Sequence, residues 1–269
     1  MPDPVQSVDL HIHSHFSDAP HNSLRAITQA CLTQGIGACI CDHNEIRGSI
    51  RLYEEGQVAT VPSIEVGSRS RVEFLVYFRD PAALEEYFRT CVEPHNRRNF
   101  YSRLAREFEP LVREAKERGA VVTLPHPFAP GWKNLGARVN AENLRRLLAP
   151  DVLRLIDFIE VINGHLSEKR NFRAYQFAEQ HRKAFVVGSD AHAPQEIGKV
   201  YVAFEEPIAA DEIVQTLTRR NRLLVKIPFS PWRFVRTAQR VVPRHVLLYL
   251  LPAKQRVWMN AGGRAHGRK

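Results

Sequence analysis

The chain has 269 residues, of which 44% are hydrophobic and 25% are charged, so it is long enough to bury a sizeable core and has a globular composition. Its first ten residues lack the basic segment and apolar run of a signal peptide, and no stretch approaches the roughly 18 apolar residues of a membrane span. These features predict a cytoplasmic protein without a transmembrane segment. Four cysteines without a CxxC pair indicate reduced thiols and no disulfide framework.

The net charge of +9 is concentrated at the C-terminus. Residues 226–269 hold ten Lys and Arg and no Asp or Glu, which leaves 28 basic and 29 acidic residues in 1–225. We therefore divide the chain into a catalytic body, 1–225, and a short basic C-terminal extension, 226–269. Because the body is nearly neutral, the high isoelectric point is poor evidence that the body binds nucleic acid.

Short apolar, β-branched runs alternate with helical patterns, which is typical of β/α units around a parallel sheet. The predicted strands are 7–12, 37–41, 58–65, 72–78, 120–124, 156–161, 184–188 and 199–204. The predicted helices are 23–34, 81–91, 97–118, 140–148, 167–181 and 209–220. Eight strands suit a barrel, and Pro228 and Pro231 mark the boundary before the basic extension.

Residues of metal-ligand type follow the predicted strands one after another: His11, His13, Asp18, His43, Glu65, His126, Asp190 and His192. The C-terminal ends of parallel barrel strands converge on one mouth, where active sites form. In an extended segment His11 and His13 point to the same side, so one ion can take both imidazoles. Together these residues predict a metal site, because ligand-type side chains gathered at one rim cost stability unless something binds them.

Each motif alone also has a structural interpretation. A single His-x-His is uninformative, and Asp42-His43-Asn44 suits a turn with an N-cap. Ser189-Asp190 suits the cap of a following helix, and Pro125-His126-Pro127 suits a rigid loop. The metal prediction therefore depends on the joint occurrence of the motifs.

In chain order the motifs resemble those of the PHP (polymerase and histidinol phosphatase) family: Asp9-Leu10-His11-Ile12-His13-Ser14, Ser17-Asp18, Asp42-His43-Asn44, Glu65, His126-Pro127 and Gly188-Ser189-Asp190-Ala191-His192. The resemblance runs from about residue 7 to residue 204. It implies an α/β fold, a distorted (β/α)7 TIM-like barrel, that holds two or three divalent metal ions, Zn, Mn or Fe. The implied first metal site is formed by His11, His13, Glu65 and Asp190. The implied second site is formed by Asp18, His43 and His192, and Glu65 and His126 serve a third, with Glu65 bridging.

The resemblance implies hydrolysis of a phosphate ester by a metal-activated water, with a phosphorylated small molecule or a short oligonucleotide as substrate. Among the ligands, we predict a catalytic role for His126, Asp190 and His192. Cations that follow strands or motifs are predicted to bind the substrate phosphate, although each also suits a solvated surface group: Arg47, Lys133, His165 and Lys199.

One residue departs from the family pattern. Many members have a histidine in the strand after the glutamate, whereas this chain has Glu73 near that position. A carboxylate there either binds a hard ion or is a surface charge, so occupancy of the third site is left open.

Three other functions are compatible with parts of this pattern. A PHP-type exonuclease would use basic and aromatic residues to track a strand, for which 96–101 and Trp132 with Lys133 are candidates, although both segments also suit ordinary packing. An amidohydrolase also begins with His-x-His on a barrel strand but does not require Asp42-His43 or Asp190-x-His192. A non-catalytic metal-binding module is disfavoured because the ligand set is nearly complete.

The basic extension is predicted to dock on an anionic surface, either membrane lipid or nucleic acid, which would make the protein peripherally membrane-associated in the first case. Arginines at 233, 236, 240 and 244 recur at helical spacings, and Trp232 and Trp258 suit a lipid–water boundary. The competing interpretation is that 246–251 packs on the barrel as a closing element, since Pro243 interrupts the helix.

Overall fold

The computed structural model of the protein describes residues 2–96, 103–129, 149–219, 222–226 and 257–260. Its strands are β1 Val5–Ile12, β2 Gly37–Ile40, β3 Ser63–Gly67, β4 Glu73–Tyr77, β5 Val121–Leu124, β6 Phe158–Asn163, β7 Ala184–Gly188, β8 Tyr201–Ile208, β9 Arg222–Lys226 and β10 Val257–Asn260. Its α-helices are α1 Leu24–Gln34, α2 Arg47–Glu55, α3 Pro81–Tyr87, α4 Phe108–Glu117, α5 Pro150–Leu155, α6 Glu168–Gln180 and α7 Ile213–Arg219. The chain thus has the predicted mixed α/β fold.

The described strands form two five-stranded sheets, in the orders β10-β9-β8-β1-β2 and β3-β4-β5-β6-β7. The predicted parallel pairing is found for β1–β2, β5–β6 and β6–β7 but is wrong at β4 and β8. Strand β4 is antiparallel to β3 and β5, and β8 is antiparallel to β1 and β9. The physical reason at β4 is the short connection 68–72, since a parallel crossover needs a dozen or more residues.

Isolated bridges join the two sheets where the predicted ligands lie. Ile12 is bridged to Ala191, and His43 is bridged to Glu65, both in the parallel sense. The backbone N–H of His13 donates to the Ala191 carbonyl at 2.9 Å. These contacts bring the end of β1 beside the end of β7, and the end of β2 beside β3.

The core lies between the sheets and the helices, and all four cysteines are buried in the fold. Tyr77 on β4 is fully buried, and its hydroxyl donates to the Leu10 carbonyl on β1 at 2.9 Å. Apolar strands therefore fill the interior, which leaves the polar ligand residues at the strand ends.

Several predicted element bounds need correction. Strand β3 begins at Ser63 rather than at residue 58, after Pro62, whose nitrogen cannot donate to a strand ladder. Helix α2 was not predicted, and neither was α5. Residues 97–102 of the predicted helix 97–118 lie outside the described residues, and within 103–118 the helix is α4, while Leu104 makes an isolated bridge to Asn96. The predicted helix 140–148 lies outside the described residues, as does most of the basic extension.

Candidate metal centre

The predicted ligands converge at one end of the strands. His11 lies on β1 and His13 directly follows it, His43 follows β2, His126 follows β5, and Asp190 follows β7. Glu65 lies in the middle of β3 rather than at its end, because β3 extends to Gly67. Most of these side chains are buried, whereas 48% of the Asp18 side chain and 32% of the His192 side chain are exposed. The centre therefore opens to solvent beside Asp18 and His192.

The donor atoms of the first predicted site lie close together, with Glu65 and Asp190 each grouped with histidines rather than with each other. The distance from His13 Nε2 is 3.1 Å to His11 Nε2, 3.1 Å to Asp190 Oδ1 and 3.4 Å to Glu65 Oε2. The distance from His11 Nε2 is 3.5 Å to Asp190 Oδ1 and 3.7 Å to Glu65 Oε2. A tetrahedral ion with bonds of about 2.0–2.1 Å separates its ligand atoms by about 3.4 Å. The donor set therefore fits a divalent cation in both chemistry and spacing.

The two oxygens of Glu65 face different histidines. Oε2 lies 3.0 Å from His43 Nδ1 and 3.4 Å from His13 Nε2, whereas Oε1 lies 3.2 Å from His126 Nε2. Within the described part of the chain, the buried atoms Glu65 Oε2, His13 Nδ1 and His43 Nδ1 make no hydrogen bond. Buried polar atoms without hydrogen bonds are costly, and a bound cation would remove that cost. This geometry is compatible with a bridging role for Glu65.

The second predicted site is centred on Asp18. Its Oδ2 atom lies 3.3 Å from His43 Nε2 and 3.3 Å from His192 Nε2, so the structure brings all three side chains together. The side chain of Asp18 reaches the centre from the loop between β1 and α1. Ser17 and Ser14 in this loop donate hydrogen bonds from their hydroxyls to Asp42 at 2.6 Å. Asp42 thus fixes the loop that presents Asp18.

Glu73 is part of the centre and is only 3% exposed, so its interpretation as a surface charge is wrong. Its carboxylate forms one group of possible ligand atoms with His43 and Glu65, and its Oε2 lies 4.0 Å from His126 Nε2. Glu73 begins β4, and because β4 is antiparallel to β3, its start lies beside the end of β3. The reversed strand direction places Glu73 at the mouth.

Glu160, at the centre of β6, was missed by sequence reasoning. Its Oε1 lies 2.9 Å from His11 Nδ1, and its Oε2 accepts hydrogen bonds from the His126 backbone N–H at 2.8 Å and from Asn163 Nδ2 at 2.9 Å. Asn163 Nδ2 also donates to Asp190 Oδ2 at 3.1 Å. The signal in the sequence was a glutamate inside the apolar run 158–162, where a charged side chain is buried only with partners.

Asp9, on β1 two residues before His11, is a buried acceptor of backbone hydrogen bonds. It accepts hydrogen bonds from the backbone N–H groups of His11, Ser189 and Gly198 at 3.3, 3.0 and 2.9 Å. Burial raises the pKa of Asp9 to about 6, against the lowering effect of these hydrogen bonds. Asp9 therefore ties β1 to the loop that carries Asp190.

Backbone strain coincides with the centre. His126 has φ of 27° and Asp190 has φ of 57°, and Asn44, next to His43, has φ of 50°. Positive φ is uncommon for residues other than glycine and costs energy unless the surroundings hold it. Here the Glu160 carboxylate holds His126, and Asn163 holds Asp190.

The pKa values show how the centre behaves without cations. Burial opposes charge on His43, but Glu65 and Asp18 raise its pKa well above its usual value. Burial likewise opposes ionisation of Asp190, yet the charge of His11 and a hydrogen bond with His13 hold its pKa far below its usual range. The raised pKa values of His11 and His43 favour protonated imidazoles that offset the carboxylates in the metal-free chain, whereas burial lowers the pKa of His13.

The predicted phosphate-binding cations are less well supported. Arg47 pairs with Glu45 at 2.7 Å, and His165 pairs with Glu196 at 3.3 Å. Lys199 lies 3.9 Å from Glu196, and Lys133 is outside the described residues. The His165 ring is nevertheless 5.4 Å from the His192 ring, centroid to centroid, which places it beside the open side of the centre. A phosphate-binding role for these four residues stays a prediction.

Comparison with known proteins gives both a family match and similar folds. Residues 168–221 match the model of the PHP-associated family. An uncharacterized protein of Methanocaldococcus jannaschii is 30% identical over 203 residues, which cover 74% of this chain and 70% of that protein. This relative and the family model match different but overlapping parts of the chain.

Two solved structures share the fold. The lesion-specific endonuclease Q of Pyrococcus furiosus superposes with a TM-score of 0.61 at 20% identity, covering 79% of this chain and 55% of the endonuclease. A protein of Bifidobacterium adolescentis assigned as a metal-dependent phosphoesterase superposes with a TM-score of 0.54 at 16% identity, covering 80% of this chain and 96% of that one. The chain thus spans little more than half the length of the endonuclease.

Proposed function

The chain belongs to the PHP family, and on that premise we propose that it hydrolyses a phosphate ester at a centre of two or three divalent metal ions. The observation that carries the proposal is that His11 Nε2 and His13 Nε2 lie 3.1 Å apart and that each lies 3.1 to 3.7 Å from a carboxylate oxygen of both Glu65 and Asp190. The other proposed ligands are Asp18, His43 and His192, with His126 beside His11 and Asp190, and Glu73 beside His43 and Glu65.

The proposed fold is a distorted seven-stranded barrel. Parallel bridges at Ile12–Ala191 and His43–Glu65 support closure of the two sheets into one ring through β1–β7 and β2–β3. Closure matters for function because it draws ligands from six strands to a single mouth.

Bound divalent ions supply Lewis-acid stabilisation of phosphate oxygens and lower the pKa of a coordinated water. The chain's own part is to hold the donor atoms and to orient them. Glu160 fixes the His11 ring and the His126 backbone, and Asn163 fixes Asp190. Asp18 and His192 border the open side, where a substrate phosphate would enter, and His165 stands next to His192 with an exposed imidazole. We propose catalytic roles for His126, Asp190 and His192.

A second candidate is cleavage of a phosphodiester in an oligonucleotide. The observation that favours it is the fold shared with a lesion-specific endonuclease, although this chain spans only 55% of that enzyme. The metal centre would bind the phosphate and activate the water in the same way for a phosphodiester and a phosphomonoester. The two candidates therefore differ in the residues that bind the rest of the substrate.

The test is turnover by protein reconstituted with Mn²⁺, Zn²⁺ or Fe²⁺ on phosphorylated metabolites, short oligonucleotides, and amide and lactone substrates. Hydrolysis of phosphate esters only in metal-loaded protein, with loss in Asp190→Asn, is the expected result. Hydrolysis of amides or lactones alone would favour an amidohydrolase instead. Full metal loading without turnover of any substrate would favour a non-catalytic module.

Docking of the basic extension on anionic lipid or nucleic acid remains part of the proposal. No helix in the described ranges has the length and apolar character needed to cross a membrane. The backbone of β10 pairs with β9, which in turn pairs with β8, so part of the extension adds to the sheet. A chain ending at Ile227 should therefore be tested for thermal stability together with binding to anionic liposomes and to DNA. Loss of binding with an unchanged melting temperature would support docking.

A further inference from the structure

A basic and aromatic surface lies beside the metal centre, on the β1–α1 loop and the first turns of α2. Phe16 is half-buried in the loop, and its ring is 4.2 Å from the ring of the exposed His15, centroid to centroid. The guanidinium carbons of Arg47 and Arg51 each lie 5.0 Å from the centre of the Phe16 ring. We call His15, Phe16, Arg47 and Arg51 together the Phe16 surface.

The fold places this surface next to the reacting centre. Along the chain, Phe16 stands between His13 and Asp18, both proposed metal ligands. The Phe16 backbone N–H donates to Ser14 Oγ at 3.2 Å, and Ser14 Oγ donates to Asp42 Oδ2 at 2.6 Å, so the loop is fixed to the end of β2. A substrate that reaches the open side beside Asp18 therefore passes this loop.

The two arginines share one helix face but differ in their partners. They are four residues apart on α2, which aligns them on one side of the helix. Arg47 is paired with Glu45, whereas Arg51 has no carboxylate partner among the residues that the structure describes. An exposed guanidinium held against an aromatic ring keeps its N–H donors for an anion.

The arrangement suits a substrate with more than one phosphate. The metal centre accounts for a single phosphate, and a cationic position outside it suits a second phosphate on the same molecule. We propose that the Phe16 surface binds the backbone of a single-stranded nucleic acid next to the phosphate at the metal centre, with Arg51 as the main contact. This inference rests on the proposed function for the identity of the reacting phosphate.

The test is fluorescence anisotropy of a labelled single-stranded DNA of about 15 nucleotides, titrated with full-length protein across a salt series. Arg51→Ala should weaken binding roughly five- to tenfold at low salt and reduce the slope of log affinity against log salt by about 0.7, the value for one lost phosphate contact. Arg51→Lys should restore most of the slope. Arg154→Ala, an exposed site on α5 before β6, removes the same charge and should leave both affinity and slope unchanged.

The inference is overturned if Arg51→Ala binds with wild-type affinity and slope, or if Arg154→Ala loses as much as Arg51→Ala. Melting temperature and metal content of each variant show that the fold and the centre are intact. Hydrolysis is scored separately. An active phosphoesterase whose DNA binding does not depend on Arg51 keeps the proposed function and loses this inference. DNA binding that depends on Arg51, without hydrolysis of any phosphate ester, supports this inference and contradicts the proposed function.

Discussion

Glu160 Oε1 lies 2.9 Å from His11 Nδ1, and both side chains are buried. Its other oxygen accepts the His126 backbone N–H at 2.8 Å, so one carboxylate positions two proposed ligands. Glu160→Gln replaces one acceptor oxygen with an NH₂ group, which leaves one of the two N–H groups without an acceptor. We expect metal affinity to fall about 10- to 100-fold, as is typical when a partner that orients a ligand is lost.

The measurement is calorimetric titration of metal-free protein with Mn²⁺ and Zn²⁺. Glu179→Gln, at an exposed position on α6, makes the same chemical change away from the centre and serves as the control. Unchanged metal affinity in Glu160→Gln would show that the Glu160 contacts do not position the ligands.

Removal of metal is expected to abolish hydrolysis and to destabilise the fold. Without cations, the buried Glu65 Oε2, His13 Nδ1 and His43 Nδ1 atoms are left without hydrogen bonds in the described structure. At a metal concentration about 100 times the dissociation constant, binding adds about 2.7 kcal/mol, which corresponds to a decrease in melting temperature of roughly 5–10 °C on chelation. Calorimetry and activity before and after chelation test this. A chelated protein that is equally stable and active would refute the metal centre.

Single-ligand variants are expected to differ in severity. Asp18→Ala and His192→Ala remove two side chains that meet 3.3 Å apart on the open side, where the substrate phosphate would bind. Glu73→Ala removes a side chain whose Oε2 is 4.0 Å from His126 and which is proposed to serve the third ion, on the buried side of the centre. Turnover should therefore fall far more in the first two variants, with a parallel loss of bound metal in elemental analysis. Equal losses in all three would instead indicate three required metals.

The strands were largely predictable because each is a short apolar, β-branched run, and the ligand types follow them in order. Strand direction was predicted as parallel, which is wrong at β4 and β8, since the composition of a strand carries no direction. The signal for β4 was the five-residue connection 68–72, which is too short for a crossover. The antiparallel direction of β4 has a chemical consequence. It places Glu73, which the sequence left open as a surface charge, in the buried centre.

The supporting residues were harder to predict. Glu160 and Asn163 are separated from His11 by about 150 residues of chain, and only the paired strands bring them together. Helix α2 was missed because its sequence, RGSIRLYEE, has few apolar residues and a buried face that includes Gly48 and Ser49. A Cβ at Gly48 would lie 2.7 Å from Ser14 Oγ, so this helix packs closely on the loop of the centre for a reason that periodicity does not reveal.

Acidification is expected to release metal. Burial disfavours charge on His192, but hydrogen bonding to Asp18 and the charge of Asp190 raise its pKa in the metal-free chain, and Glu65 and Asp18 raise that of His43 well above its usual value. A raised pKa means that these imidazoles stay protonated to higher pH, and each proton must leave before the nitrogen can bind a metal. Metal affinity should therefore increase with pH until these raised pKa values are passed.

The stability of the metal-free protein should change in the opposite direction. A histidine whose pKa is raised on folding stabilises the fold fully below its unfolded pKa of about 6.5, and this contribution is lost as pH rises through the folded pKa. Titration with Mn²⁺ from about pH 6 to pH 9 measures how metal affinity depends on pH. Thermal unfolding of the metal-free protein over the same range measures how its stability depends on pH. His21→Gln, at an exposed position in the same β1–α1 loop but outside the centre, is the control and should leave the pH dependence of both measurements unchanged. Metal affinity that does not vary with pH would show that the imidazoles of the centre do not bind the metal.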